Sequence, residues 1–431
     1  MSAELISILV LAVVFVIATT RSINMGALAF AAAFGVGGLV AGLDADGIFA
    51  GFPGDLFVVL VGVTYLFAIA RANGTTDWLV HAAIRLVRGR IALIPWVMFA
   101  ITGALTAIGA VSPAAVAIVA PIALSFAAQY GISPLLMGAM VVHGAQGGGF
   151  SPISIYGSIV NGIVERENLP GSELTLFLGS LVANLVIAAV VFVLFGGLKL
   201  SGRRGEPGGT GPERQGEERT GEREPEGTRG TVRLTPAIGA TLAALVALVV
   251  AVLGFDLDAG LSSLTLAVVL STVWPDTSRK AVGEIAWPTV LLICGVLTYV
   301  GVMEEMGTID YAGNAVGDIG IPLLAAVLLC YIGAIVSAFA SSVGIMGALI
   351  PLAVPFLAQG EIGAIGMITA LAISATVVDV SPFSTNGALV LAAAPDVDRE
   401  RFFRQLMVYG GIVVAVVPAA VWLVLVVPGF G

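Results

Sequence analysis

SPISIYG, residues Ser151–Gly157, breaks a long apolar run with a Ser-Pro-x-Ser turn and follows an earlier Ser-Pro at Ser112–Pro113. The second half repeats the arrangement, with SPFSTNG (Ser381–Gly387) following Ser341–Ser342. Adding 230 to a first-half number gives the partner position without gaps from Ser112 to Val160, and 14 of the 49 positions in that window are identical. They include Ser112/Ser342, Pro121/Pro351, Gln129/Gln359, Ser151/Ser381, Pro152/Pro382, Ser154/Ser384 and Gly157/Gly387. Small apolar identities arise from composition alone. Gapless matches of Ser, Pro, Gln and Gly do not, so the two copies read as halves of one site.

Hydrophobic residues make up 58% of the 431 and charged residues 11%, with a mean hydropathy of +1.04. A soluble chain of this length needs far less apolar surface, so composition points to a polytopic α-helical membrane protein. The alternation of an outer-membrane barrel is absent. Cys294 and Cys330 lie in apolar runs; neither a metal motif nor a disulfide is expected of them. Residues 4–20 match 235–253 and follow no basic residue, so they read as a retained helix and not a signal peptide.

The apolar runs divide the chain into residues 1–200, a linker at 201–232 and residues 233–431. In the first part, runs at 4–20, 22–43 and 55–71 read as scaffold spans, together 4–71. Residues 74–90 open on Gly-Thr-Thr-Asp, with Thr75 or Thr76 as cap, and carry His81, Arg85 and Arg88 at helical spacing. This predicts an amphipathic helix lying in the interface. The run 92–125 is too short for two spans and a loop, and predicts a re-entrant hairpin with its tip at 110–113. A span at 134–166 follows, broken at 147–154, and then a span at 172–198. The linker, rich in Gly, Glu, Arg and Pro, is expected to be disordered. The second part repeats the plan, with scaffold spans at 233–254, 258–274 and 284–303, an interfacial stretch at 307–318, a hairpin at 320–357, a broken helix at 362–396 and a span at 405–428. The expected fold is an all-α polytopic membrane protein of two inverted repeats, each with five transmembrane helices and one re-entrant hairpin, so ten spans and two hairpins in all.

An odd number of crossings sets the copies in opposite orientations. With residue 1 outside, 18 of the 19 Lys and Arg fall inside and only Arg166 falls outside, as the positive-inside rule requires. Both termini then lie outside, and the linker lies in the cytoplasm below the inner (plasma) membrane. Two inverted repeats with paired broken helices are the plan of a secondary transporter whose site lies between the repeats.

A helix that stops in mid-membrane exposes backbone N–H or C=O groups at the break, tolerated only beside protein, water or a ligand. Half-helices starting after Ser112, Ser154, Ser342 and Ser384 turn partial positive charge toward the midplane and can hold an anion without Lys or Arg. The candidate substrate-binding residues are Ser112, Pro113, Ser151, Pro152, Ser154, Ser342, Val343, Ser381, Pro382 and Ser384. Freed carbonyls together with Ser, Thr and Asn oxygens suit Na⁺. The candidate cation-binding residues are Ser112, Gly148, Gly149, Ser341, Asp379, Thr385 and Asn386. Asp379 is the acidic residue placed deep in a span, where carboxylates are functional by default; it and His143 are candidates for proton coupling. Competing readings are a kink whose serines cap their own backbone, helix packing at Gly147–Gly149, and a packing role for His143. Asp379 stands where the first copy has Gly149, and Asn386 where it has Tyr156, so the stronger cation site is expected in the second copy. No transition metal and no cofactor beyond Na⁺ is expected.

The tip motifs, each followed by a broken helix, resemble the divalent anion/sodium symporter family of the ion transporter superfamily. VSPAAVAIVAP (111–121) and GGGFSPISIYGSIVNGIV (147–164) look closest to its malonate/dicarboxylate carrier branch. Where that family has Ser-Asn-Thr at both tips, this chain has Val111-Ser112-Pro113 and Ser341-Ser342-Val343, a departure that bears on the substrate contacts. The family's later Thr-Pro motif stands as Ser151-Pro152 and Ser381-Pro382, and Asn386 resembles its Asn. The resemblance implies a homodimer in which the first three spans of each half are a fixed scaffold. The hairpins and the fourth and fifth spans would move as an elevator.

These readings point to cation-coupled uptake of a small dicarboxylate such as malonate, malate or succinate, with Na⁺ favoured over H⁺. The alternatives are a cation/proton antiporter or an inorganic-anion transporter of the same superfamily. A channel lacks a charged ring in either half. A membrane-embedded enzyme lacks HExxH, GxSxG and paired intramembrane aspartates. The expected partners are a small organic dianion, Na⁺ or H⁺, the bilayer and a second copy, with no nucleic acid.

Overall fold

Capping side chains set many of the helix boundaries. Asn24 accepts the amides of Gly26 and Ala27, Ser133 that of Leu136, Ser172 that of Thr175, Asp258 that of Leu261 and Asp398 that of Arg401. Each satisfies donors that a helix N-terminus leaves unpaired. The computed structural model describes residues 2–21, 23–84, 90–200, 234–309, 311, 322–338, 342–358, 360, 362–395 and 397–430. Of the described residues 82% are helical, and none forms a strand.

The first part contains α1 (Ala3–Arg21), α2 (Met25–Leu39), α3 (Ala45–Ala50), α4 (Gly54–Ala72), α5 (Thr75–Ile84), α6 (Ile94–Ala107), α7 (Ser112–Tyr130), α8 (Pro134–Gly148), α9 (Ile155–Arg166) and α10 (Glu173–Leu194). The second contains α11 (Pro236–Phe255), α12 (Ala259–Val273), α13 (Pro275–Gly283), α14 (Trp287–Glu305), α15 (Pro322–Ser337), α16 (Ser342–Ala358), α17 (Ala364–Val377), α18 (Thr385–Ala393) and α19 (Arg399–Val421). Among the described residues, six helical segments are long and apolar enough to cross a membrane: α4, α7, α10, α11, α14 and residues 399–426. Several shorter apolar helices accompany them, and the protein is an all-α, multi-pass membrane protein. Large apolar side chains such as Phe34, Leu39, Leu194 and Phe255 stand exposed, as lipid-facing residues must.

α4 and α14 lie at the centre, with 61% and 67% of their apolar windows buried, against 28% for both α10 and α11. The central helices cross partners from the other part at glycines. A Cβ on Gly26 (α2) would lie 1.9 Å from the Leu291 carbonyl oxygen of α14, and one on Gly295 (α14) 2.0 Å from the Gly26 oxygen. In the same way, a Cβ on Gly62 (α4) would lie 2.5 Å from the Gly260 oxygen of α12. Apolar side chains gain little by leaving lipid, so helices in a bilayer associate where small residues let backbones touch. Beside this core α8 packs on α6, α7 and α10, while α17 packs on α10, α15, α16 and α19. α7 also packs on α18, and α16 on α9, so the exchange between the two parts is reciprocal.

Several boundaries differ from the sequence expectation. Asn73, not Thr75 or Thr76, caps the start of α5, accepting both the amide and the hydroxyl of Thr75; both threonines are buried inside the helix. α7 runs on to Tyr130, because Gly131 supplies the left-handed C-cap (φ 63°) there. At 19 residues α7 is long enough to cross a membrane, whereas α6 has 14. α13, a short charged helix with Pro275 in its first turn, occupies what read as a loop. The last helix starts at Arg399 and not at 405, because Asp398 caps it. The linker 201–232, most of the interfacial stretch 307–318 and Ser341 lie outside the described residues.

Candidate functional site

Both anticipated breaks are present. α8 ends at Gly148 and α9 starts at Ile155; α17 ends at Val377 and α18 starts at Thr385. Ser154 and Ser384 cap the second half-helices, each hydroxyl accepting the amide of Gly157 or Gly387. Ser154 donates to the carbonyls of Gly149 and Ser151, and Ser384 to those of Asp379 and Ser381. The two turns therefore share the bonds of their second serine, and both of those hydroxyls are spent on folding the backbone. α7 and α16 start at Ser112 and Ser342.

One buried cluster joins the two parts of the chain. Asp379, only 4% exposed, accepts at Oδ2 from Gln146 Nε2 at 3.0 Å and from Asn386 Nδ2 at 2.9 Å. Asn386 Nδ2 also donates to Ser112 Oγ at 2.7 Å, and Gln146 Nε2 reaches the same oxygen at 3.5 Å. Oδ1 of Asp379 receives the long Asn386 backbone amide bond, 3.4 Å. Tyr156, the positional twin of Asn386, stands beside Ser112 and Asp379. Neither salt bridge among the described residues involves Asp379. Gln146 Oε1 and Asn386 Oδ1 are buried with no hydrogen-bond partner among the described residues. An unpaired buried acceptor costs about 1–3 kcal/mol, and a buried carboxylate without a cation costs more. Carboxylate, amide and hydroxyl oxygens are the donor set a hard monovalent cation prefers.

The remaining candidates fall elsewhere. Ser342 hydrogen-bonds Ser337 at 2.8 Å, in a separate cluster with the Ala375 carbonyl. The Ser151 hydroxyl bonds the Ala107 carbonyl at the end of α6, and the Ser381 hydroxyl accepts the Phe383 amide. Thr385 is exposed, Pro152 half-buried and Pro382 buried. The side chain of Val343 lies outside the described residues. Gly148 serves the crossing of α6 and α8, since a Cβ there would lie 1.9 Å from the Gly103 oxygen. The Gly149 carbonyl accepts from Ser154 Oγ and the Gly157 amide. His143 is fully buried, with Nδ1 2.9 Å from Asn184 Oδ1 and Nε2 2.6 Å from the Tyr409 hydroxyl, so both its ring nitrogens are engaged by α10 and α19 and neither contacts Asp379 directly.

Sequence reasoning missed Gln146. An amide inside the apolar run 134–150, one turn before the break, was the signal available. It also missed the cleft that Pro113 lines with Arg71 and Glu284.

Buried polar oxygens at paired helix breaks, inside a lipid-facing bundle, belong to the transporter class. Residues 1–149 match the family described as the dicarboxylate carrier protein MatC N-terminus. The match fits a MatC-like carrier and points to a transporter, not an enzyme. The matched segment carries Ser112 and Gln146 and ends at the first break. No curated protein matches the chain.

Proposed function

We propose that the protein is a secondary active carrier that couples inward movement of a cation to uptake of a small dicarboxylate such as malonate, malate or succinate. The observation that carries this reading is the cluster of Ser112, Gln146, Asp379 and Asn386, with two buried carbonyl oxygens unpartnered among the described residues. The MatC family match over residues 1–149 supports the dicarboxylate class. Oxygen donors with no nitrogen ligand favour Na⁺ over H⁺ as coupling ion. Two inverted repeats, each with one re-entrant hairpin, account for the paired breaks at a constant separation and for the reciprocal packing. In this reading α1, α2, α4, α11, α12 and α14 form the fixed scaffold of a homodimer. The hairpins and broken helices, with α10 and α19, move as an elevator. The anion lies near the tips at Ser112 and Ser342, and the cation lies at Asp379.

The test is uptake of radiolabelled malonate, malate and succinate into proteoliposomes under imposed Na⁺ or H⁺ gradients. Accumulation that requires an inward Na⁺ gradient is expected. Absence of accumulation for every dicarboxylate tried overturns the reading. Na⁺-driven collapse of a pH gradient without any organic anion replaces it with cation/proton antiport.

A further inference from the structure

We infer that Arg71 is a substrate-binding residue, taking one carboxylate of the dianion in a cleft beside the tip between α6 and α7, with Glu284 as its displaceable partner. This rests on the carrier reading above. The cleft, about 290 Å³, is walled by α4, by the tip (Gly109, Val111 and Pro113 among its residues) and by the segment from Glu284 to Thr289. Its volume sits at the lower edge of the roughly 300–1,000 Å³ typical of ligand sites, the size for a small acid. Arg71 and Glu284 are the charged residues of its lining.

The ion pair is built to exchange. Arg71 Nε and Nη2 both donate to one oxygen, Glu284 Oε2, at 3.1 and 2.6 Å. The two-oxygen fork that a guanidinium makes with a carboxylate in its strongest form is therefore not made. The side chains are 39% and 44% exposed, and pairs in water's reach hold weakly. A second carboxylate meets a planar donor whose better geometry is still available. Glu284 meanwhile keeps the cleft neutral when no anion is present. Position completes the argument. Val111 and Pro113, which line the cleft, flank Ser112, and Ser112 Oγ is held from the far side by Asn386. The cleft thus shares a wall with the residue that ties α7 to the Asp379 cluster.

The test is malonate exchange in proteoliposomes of the full chain, with KM measured separately for malonate on each side of the membrane. Arg71→Gln is expected to raise KM roughly tenfold on one side only, the loss of a charge-assisted fork, with Vmax falling much less. Arg71→Lys gives a partial rise, and Glu284→Gln lowers KM on the same side by removing the competitor. Unchanged KM on both sides in Arg71→Gln overturns the inference. So does an equal rise in Arg71→Gln and Glu284→Gln, which marks a structural tie. If Arg71→Gln fails to assemble, Arg71→Lys and Glu284→Gln decide on the same terms. Wild-type exchange with unaltered variants sinks this inference alone, whereas no wild-type exchange of malonate, malate or succinate removes the carrier reading with it.

Discussion

Asn386 Nδ2 donates to Ser112 Oγ at 2.7 Å, although the two residues stand 274 positions apart. The bond ties the start of α7 to the first turn of α18 and brings the Asp379 carboxylate to the same amide. The same bonds therefore join Asp379 to Ser112, whose neighbours Val111 and Pro113 line the cleft with Arg71.

Asp379→Asn tests the cation role. The carboxylate is buried with no basic partner among the described residues, and asparagine keeps its shape without its charge. The cation-free protein should gain on the order of 1–3 kcal/mol of stability. Na⁺ should no longer raise its melting temperature or drive malonate uptake. Thermal unfolding with and without Na⁺ checks both effects, and persistent Na⁺ stabilisation removes Asp379 from the mechanism.

Gln146→Leu removes the unpartnered Oε1 with little change in volume. The Na⁺ concentration for half-maximal uptake should rise by about 10–100-fold, the usual range when a residue supporting an ion site is lost. At saturating Na⁺ most of the rate should return. An unshifted Na⁺ dependence means that Gln146 only fills space.

Gly148→Ala and Gly147→Ala separate packing from ion contact. A Cβ at 148 would lie 1.9 Å from the Gly103 oxygen, whereas one at 147 meets nothing nearer than 3.4 Å. The first change should cost about 1–3 kcal/mol, and the second should stay within about 0.5 kcal/mol. Equal melting temperatures for the two variants contradict the close crossing of α6 and α8.

The elevator reading predicts that α9 slides past α4. A Cβ on Gly162 would lie 2.6 Å from Leu56 Cδ2, so cysteines at 56 and 162 sit in bonding range. With Cys294 and Cys330 replaced by serine, oxidation of Leu56→Cys/Gly162→Cys should stop uptake, and dithiothreitol should restore it. Full transport by the cross-linked protein rules out relative motion at this contact.

Much of this arrangement was legible in the sequence, for local reasons. Ser-Pro-x-Ser fixes where α9 and α18 begin because the second serine caps the half-helix within three residues of itself. The spans at 55–71 and 258–274 fall within two residues of α4 and α12, since apolar length alone sets them. What stayed hidden depends on which helices meet. Ser112, Gln146, Asp379 and Asn386 converge because α7 packs on α18 and α8 packs on both, and no periodicity announces those pairings. The Arg71–Glu284 pair needs the end of α4 to reach the turn before α14. Ser154 and Ser384 were legible as important but point the other way: their hydroxyls serve the turn itself.

The glycine crossings carry a consequence for biosynthesis. α2 and α4 meet their partners at Gly26–Gly295 and Gly62–Gly260, so the helices that complete them are translated only after the whole first part is already in the membrane. Until α12 and α14 emerge, the grooves at Gly26 and Gly62 face lipid and have no surface to close on. The nascent chain can pack α8 on α6, α7 and α10, but it leaves α2 and α4 without their partners, a state exposed to membrane quality control. Separating the gene at the linker should leave two fragments that accumulate only when made together.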